Sequence, residues 1–389
     1  MAPLRVGIML ELMWPYRRHV DVFAGTQHFA RDAGDWLCEI DECIHGSGGS
    51  WPEQLTGYDG LIARASSPLA QMAWEAGVPL VNVWLNSPEV DRLPGVFPDF
   101  AAVGRQACGH LADRGFRQFA CLSSPRERAH REMTQSFHAA IEELGAECTF
   151  ASAPRLFYRS ANSWVRFQQM LDDWIAGWKT PIGLLVAAND VTARYVVHAC
   201  RRNGLRIPED VGLLTSTNEP LIGEMPPPSL TSVEVNYEQI GYQAAQLLDR
   251  LMRGGEADPL HRFLSPTGII ARDSTDFFAV DDETVAIAMR HIERHTRQGL
   301  AVDDVAAAVG VSRRTLERRF QTATGRSVAA EIRRLRVLKA KRLLAETELL
   351  VKQIAHETGF RDSIRLHEVF VRETGQTPSD YRRTVRGEA

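Results

Sequence analysis

The sequence predicts an α/β two-lobed domain followed by an all-α domain built from two tandem helix-turn-helix units. Three features of the 389 residues point there: apolar runs alternating with amphipathic stretches over the first 275 residues, one motif written twice in the last hundred, and a change in the sign of the charge between the two regions.

In the first region Arg5-Val-Gly-Ile-Met-Leu10 reads as a short buried strand, followed by a loop and a helical stretch from about Arg18 to Ala33. The runs that begin at Gly60, Pro79, Gln118, Gly183 and Val211 repeat the theme. Continuous apolar runs of this kind suit parallel strands covered on both faces, and the region is long enough for two lobes. Ligands of such sheets bind beyond the carboxyl ends of the strands. Residues 1–271 are assigned to this domain, and the Asp-, Ser- and Thr-rich stretch 272–283 reads as a linker.

Residues 284–389 contain the repeat. Its first copy runs from Val302 through Ala306, Gly310, Ser312 and Phe320 to Gly325, and its second from Val351 through Ala355, Gly359 and Phe370 to Gly375, at offsets of 49 and then 50 residues. Each copy reads as helix, tight turn and helix. The glycines sit where the turn needs a positive φ, and the alanines let the helices approach closely. Ser312 is a good N-cap for the second helix of the first unit, which turns Leu316 and Phe320 inward and leaves Arg313, Arg314, Glu317 and Arg318 outward. The corresponding face of the second unit holds Ser363, Ile364, Arg365, His367 and Glu368. Arg can pair bidentately with guanine and Glu can accept from cytosine in a major groove. A small helical bundle with a solvated charged face is the alternative; a doubled motif with a basic face favours double-stranded DNA.

Charge agrees with that reading. Residues 283–389 hold 21 Lys and Arg against 14 Asp and Glu, while the other residues hold 24 against 35. The basic end attracts polyanions, and the acidic region does not.

With these residues in view, the tandem motif resembles the DNA-binding domain of the AraC/XylS family, with Ser327 to Thr347 as the long helix joining the units. The second unit departs from the family's usual pattern at Glu368, often basic there, and at Arg365 and Leu366, often an aromatic pair. In the first region Asn189-Asp190, Asn203 to Val211, Pro228 to Val233 and Gly241 to Leu248 resemble the effector domain of the LacI/GalR regulators. That domain is periplasmic-binding-protein-like, with two lobes and a sugar cleft. The chain as a whole resembles the xylose-regulator-like group of the AraC/XylS family, which places a sugar-sensing domain first. The resemblance implies activation of sugar-catabolism genes, contact with RNA polymerase and a homodimer.

Sugar recognition needs carboxylates that accept from adjacent hydroxyls, Arg or Asn donors, and an aromatic plate. Asp190 is the leading carboxylate, with capping of the helix that begins near Val191 as the other role open to it. Trp14 and Tyr16 are candidates for the plate, or for packing between lobes. Arg18, Asp99, Arg128, Asn218 and Glu219 follow strands as well, and solvated loops or surface ion pairs are the alternative for each. The LacI/GalR group usually carries Arg at the position of Met133 and Asp at that of Thr217. Losing a donor and an acceptor changes the hydrogen-bond code, so the effector is a sugar or sugar-like molecule whose identity the sequence does not give.

No cofactor or metal is expected. There is no Walker lysine or nucleophile elbow, and His356-Glu357 lacks a second His at zinc-protease spacing. Gly46 to Ser50 reads as a turn, and Cys38, Cys43 and His45 make a poor zinc set. The six cysteines read as reduced thiols of a cytoplasmic protein. No stretch reaches membrane-spanning length, and the first strand is too short for a signal-peptide core. The expected function is that of a ligand-responsive DNA-binding regulator. A repressor, a binding protein without DNA function and, last, an enzyme are the alternatives.

Overall fold

The computed structural model describes residues 2–13, 16–41, 55, 57–124, 126–154, 160–280, 282–296 and 299–386. Trp14, Cys43, His45 and the Gly46 to Ser50 turn lie outside these residues. Twelve strands occur among the described residues: β1 (Leu4–Met9), β2 (Trp36–Ile40), β3 (Gly60–Ala63), β4 (Leu80–Asn82), β5 (Gly95–Pro98), β6 (Gln118–Ser123), β7 (Glu147–Ser152), β8 (Ile182–Val186), β9 (Val211–Thr215), β10 (Thr231–Glu234), β11 (His261–Leu264) and β12 (Gly268–Ile270). They form two six-stranded sheets, and the chain divides into two compact units around them.

The first unit comprises residues 1–100, 127–129 and 236–266. Its sheet runs β11-β5-β4-β3-β1-β2 and is parallel throughout. Val6, Ile8, Met9, Leu61 and Ile62 are fully buried, as strands covered on both faces require. Helices Arg17–Ala33 and Tyr237–Met252 pack against each other at backbone contact. A Cβ at Gly25 would lie 1.8 Å from the Glu238 carbonyl oxygen, and one at Gly241 would lie 1.9 Å from that of Val22. Glycine at both positions is what permits the approach.

The second unit comprises residues 101–126, 130–235 and 267–389. Its sheet runs β12-β10-β9-β8-β6-β7, parallel except for the antiparallel β12. Every residue of β8 and β9 is buried, whereas the edge strand β7 is largely exposed. Helices Ala161–Ala176 and Asp190–Arg202 close one core through Phe167, Leu171, Val196 and Cys200.

The stretch 272–283, expected as a linker, is tied to this sheet over its first half. Ser274 and Thr275 are fully buried. Ser274 Oγ donates to the Leu213 carbonyl at 2.6 Å and accepts from Thr231 N at 2.8 Å. Its Ser and Thr hydroxyls pair with buried backbone groups.

The helical module follows. Val302–Ala308 and Arg313–Thr324 form the first helix-turn-helix, and Val351–Glu357 and Ser363–Thr374 the second. Gly310 and Gly359 have φ of 70° and 74°. The left-handed turn expected of each is therefore present. The long helix Val328–Glu346, capped by Ser327, gives Val328 and Ile332 to a core around Val285, Leu316 and Phe320, and Val337, Ala340 and Leu344 to one around Ile354, Leu366 and Phe370. One helix thus serves two cores and fixes the spacing of the two units. Truncating Phe320 or Phe370 to Ala costs about 3–5 kcal/mol on general grounds.

Candidate functional site

In the first unit the polar residues gather where the parallel strands end. After β1, Tyr16 caps helix Arg17–Ala33 through its backbone, and the Arg18 guanidinium lies 5.2 Å from the Tyr16 ring centroid. After β3 and β4, Arg64 stacks on Trp84 at 3.7 Å and pairs with Glu11 at 2.9 Å. Burial lowers the Arg64 pKa, Glu11 opposes that shift, and nearby Arg18 adds to it. Asp99 follows β5, its amide donating to the Leu264 carbonyl at 2.8 Å. Arg128 pairs with Asp91 at 2.9 Å. The strand ends therefore bring Tyr16, Arg18 and Arg64 together, whereas the ion pair with Asp91 is the surface role open to Arg128.

Arg64 and Trp84 went unnoticed in the sequence. The signal was present, because each directly follows one of the apolar runs. A cation held flat on an indole is the kind of plate a sugar face packs against.

In the second unit Asp190 is 1% exposed at the end of β8. It does not cap its helix; that role falls to Asn189, whose Oδ1 accepts from Thr192 N at 2.8 Å. Asp190 Oδ2 instead accepts from Glu219 N at 2.5 Å, and Oδ1 has no hydrogen-bond donor among the described residues. Thr217 Oγ1 accepts from the Asp190 amide at 3.2 Å, so Thr217 ties down the backbone at Asp190. Asn218 adopts φ 45° after β9. Its Nδ2 donates to Glu234, and its Oδ1 accepts from Arg272 Nη2 at 2.8 Å. Arg272 was read only as the start of a linker. Met133, where a donor was expected from the family pattern, is 1% exposed in the apolar interior.

The outward faces of the helical module largely follow expectation. Arg313, Arg314 and Arg318 are exposed on helix Arg313–Thr324, with Ser312 accepting from Thr315 N at 3.2 Å as its cap. Arg313 pairs with Asp303 at 3.0 Å. Glu317 differs: it is half-buried and its carboxylate accepts from Val328 N at 3.4 Å, because the long helix starts beside it. In the second unit Ile364, Arg365, His367 and Glu368 are exposed and Ser363 is half-buried. Arg365 pairs with Glu368 at 2.9 Å, so the acid neutralises the most basic point of that face.

The helical module is bolted to the sheet of its own unit. Arg114 Nη2 lies 2.7 Å from Glu293, its Nε donates to the Thr275 carbonyl at 2.5 Å, and Asp113 meets Arg326 at 2.9 Å. Among the described residues no group of three or more His, Cys, Asp and Glu is placed to hold a metal ion. Burial pushes the Cys108 thiol up to about 11 and the Cys121 and Cys200 thiols up to about 12, so all three stay protonated. No helix among the described residues is long and apolar enough to cross a membrane.

Comparisons agree with both halves of this architecture. A periplasmic binding protein-like domain matches residues 108–275, and a helix-turn-helix domain matches residues 305–384. The xylose operon regulatory protein of Escherichia coli (strain K12) is 31% identical over 330 residues, covering 83% of each chain. The transcriptional activator RhaR of Escherichia coli O1:K1 is 39% identical over 82 residues, 21% of this chain and 29% of its own. A solved structure of a xylose-binding transcription activator aligns over 97% of both chains, with 27% identity and a TM-score of 0.59.

Proposed function

Because this chain belongs to the family of the xylose operon regulatory proteins, AraC/XylS-type regulators with a periplasmic-binding-protein-like domain, we propose that it activates sugar-catabolism genes when a sugar-like effector binds. It is a DNA-binding transcription regulator and not an enzyme. The observation that supports the proposal most is the joining, in one chain, of strand-end polar clusters suited to a polyol and a tandem helix-turn-helix with a basic outward face.

The effector proposed is a pentose or a close relative; Asp190, Asn218 and Glu219 are proposed as contacts for it, as are Tyr16, Arg18, Asp99, Arg128 and Trp14. Asp190 Oδ1 supports this choice, since a buried carboxylate oxygen without a donor is costly and a ligand hydroxyl would satisfy it. Met133 and Thr217 support a hydroxyl pattern different from that of the LacI/GalR sugars. Arg313, Arg314 and Arg318 are proposed to read the first major groove, with Glu317 as their orienting neighbour. Ser363, Ile364, Arg365, His367 and Glu368 would lie in the second groove, about 10 base pairs away. The protein would act in the cytoplasm as a homodimer and contact RNA polymerase. Its modules are taken to be residues 1–271 and 284–389, with 272–283 as the joint.

A mobility-shift assay on a duplex selected for tight binding from a random library, with and without D-xylose, L-arabinose, D-ribose and hexoses, tests the proposal. One sugar should change the shift. No retarded complex under any condition would remove the DNA-binding reading, and a complex indifferent to every sugar would remove the effector reading.

A further inference from the structure

A pocket of about 570 Å³ in the helical module extends beyond the second recognition face, with which it shares Arg365. The long helix lines it with Arg333 and Arg336, and the second unit with His356, Gly359, Arg361 and Arg365. Four guanidiniums and an imidazole meet there, with no carboxylate among the described lining residues.

Among the described residues the innermost cations lack counter-charges. Arg336 Nη2 donates to the Leu300 carbonyl at 3.0 Å, but its Nε is buried with no hydrogen-bond partner among the described residues. Arg333 Nε is buried and unpartnered too, and its side chain has no ion pair among the described residues. Arg361 and Arg365 at the rim reach only Asp362 and Glu368, at 3.7 and 2.9 Å. Gly359, at φ 74°, makes room for this arrangement, because a Cβ there would stand 3.2 Å from Arg336 Nε. Burial alone lowers the Arg336 pKa, as expected of a cation held without an acid beside it.

We propose that this pocket binds a phosphoryl oxyanion, and that its source is a backbone phosphate of the duplex between the two major-groove segments. The proposal rests on the reading of the chain as a DNA-binding regulator and adds, through Arg333 and Arg336, a contact beyond the recognition faces, with Arg365 shared with the second of them. Guanidinium forks match paired phosphate oxygens. The pocket lies beside the start of helix Ser363–Thr374, the end of a helix that favours anions. The contact is to backbone, so it positions the second unit without reading sequence.

The test uses the full chain, a duplex selected for tight binding from a random library, and an unselected duplex of equal length. Affinity is measured against KCl concentration for the wild type, Arg336→Gln and Arg333→Gln. Each variant should lower the slope of log K against log salt by about 1 and weaken both duplexes by the same factor. Arg333→Gln breaks no bond to the described residues, so it answers even where Arg336→Gln fails to fold. Slopes equal to the wild type overturn the proposal while leaving DNA binding in place, whereas a wild type that binds neither duplex sinks both readings. Thermal stability in inorganic phosphate against KCl of matched ionic strength separates the sources. A phosphate-specific rise lost in Arg333→Gln, with salt slopes unchanged, would overturn the backbone assignment in favour of a free phosphate.

Discussion

Arg334 holds Asp113 and Glu331 at once, with Nη1 2.5 Å from the first carboxylate and Nη2 2.5 Å from the second. Asp113 ends helix Phe100–Asp113 beside the sheet, and Glu331, 1% exposed, lies in the first turn of the long helix of the DNA-binding module. Arg326 pairs with the same two acids at 2.9 and 3.2 Å. Two guanidiniums and two carboxylates thus join the effector domain to the module that reads DNA.

Asp113→Ala leaves two arginines sharing one buried acid. It should lower stability by about 1–3 kcal/mol, more than an exposed pair is worth and less than a fully buried one. Urea denaturation checks this. A double-mutant cycle with Arg334→Ala should give a coupling energy well above the scatter expected of independent sites. Additive losses would mean that the pair contributes nothing of its own.

His110 lies in the same region, its Nε2 2.9 Å from Thr275 Oγ1. Burial, then the charges of Arg114 and Arg334, hold its pKa well below the ordinary 6.5. The unfolded chain therefore takes up the proton first. Stability is fully present above pH 6.5 and falls as the pH drops from there toward the depressed value. Denaturation midpoints at pH 7.5 and 5.5 should differ less in His110→Asn than in the wild type, and equal differences would show that the acid sensitivity lies elsewhere.

The two recognition faces should respond oppositely to alanine. Arg318 is exposed, with no side-chain partner among the described residues, and its loss should cost about 1–3 kcal/mol of operator affinity and relax specificity at one base. Glu368→Ala frees Arg365 from its ion pair and should leave affinity unchanged or tighten it. Anisotropy titrations of both variants check the order, and reversed losses would make the second unit the principal reader.

Much of this was legible in the residues. Gly310 and Gly359 fix their turns because only a positive φ closes them, and Leu316, Phe320 and Phe370 mark inward faces at helical spacing. The strand ends were legible too, since apolar runs stop where the sheet does. What was not legible depends on contacts distant in sequence. Glu317 reads as outward on its own helix and is half-buried only because Val328 packs beside it. Arg272 reads as linker until Asn218 and Leu230, far back in the chain, are seen to accept its hydrogen bonds. Asp190 satisfies either role by local pattern, and its bond to Glu219 decides against capping.

A bound effector should raise thermal stability, by about 2.7 kcal/mol at 100 times its dissociation constant. A thermal-shift screen of pentoses, hexoses and their acids identifies it. Asp190→Asn, which keeps an acceptor for Glu219 N, should fold and yet lose most of the shift. A full shift in that variant would remove Asp190 from the effector site.

A sugar-responsive regulator couples a sugar to DNA within one chain. Anisotropy of a labelled operator duplex, titrated with protein at zero and at saturating effector, measures that coupling. The predicted result is a change in operator affinity of about 5- to 150-fold, matched by the same factor in effector affinity when DNA is saturating, as linkage requires. A sugar that binds and raises thermal stability while leaving operator affinity untouched would contradict the account.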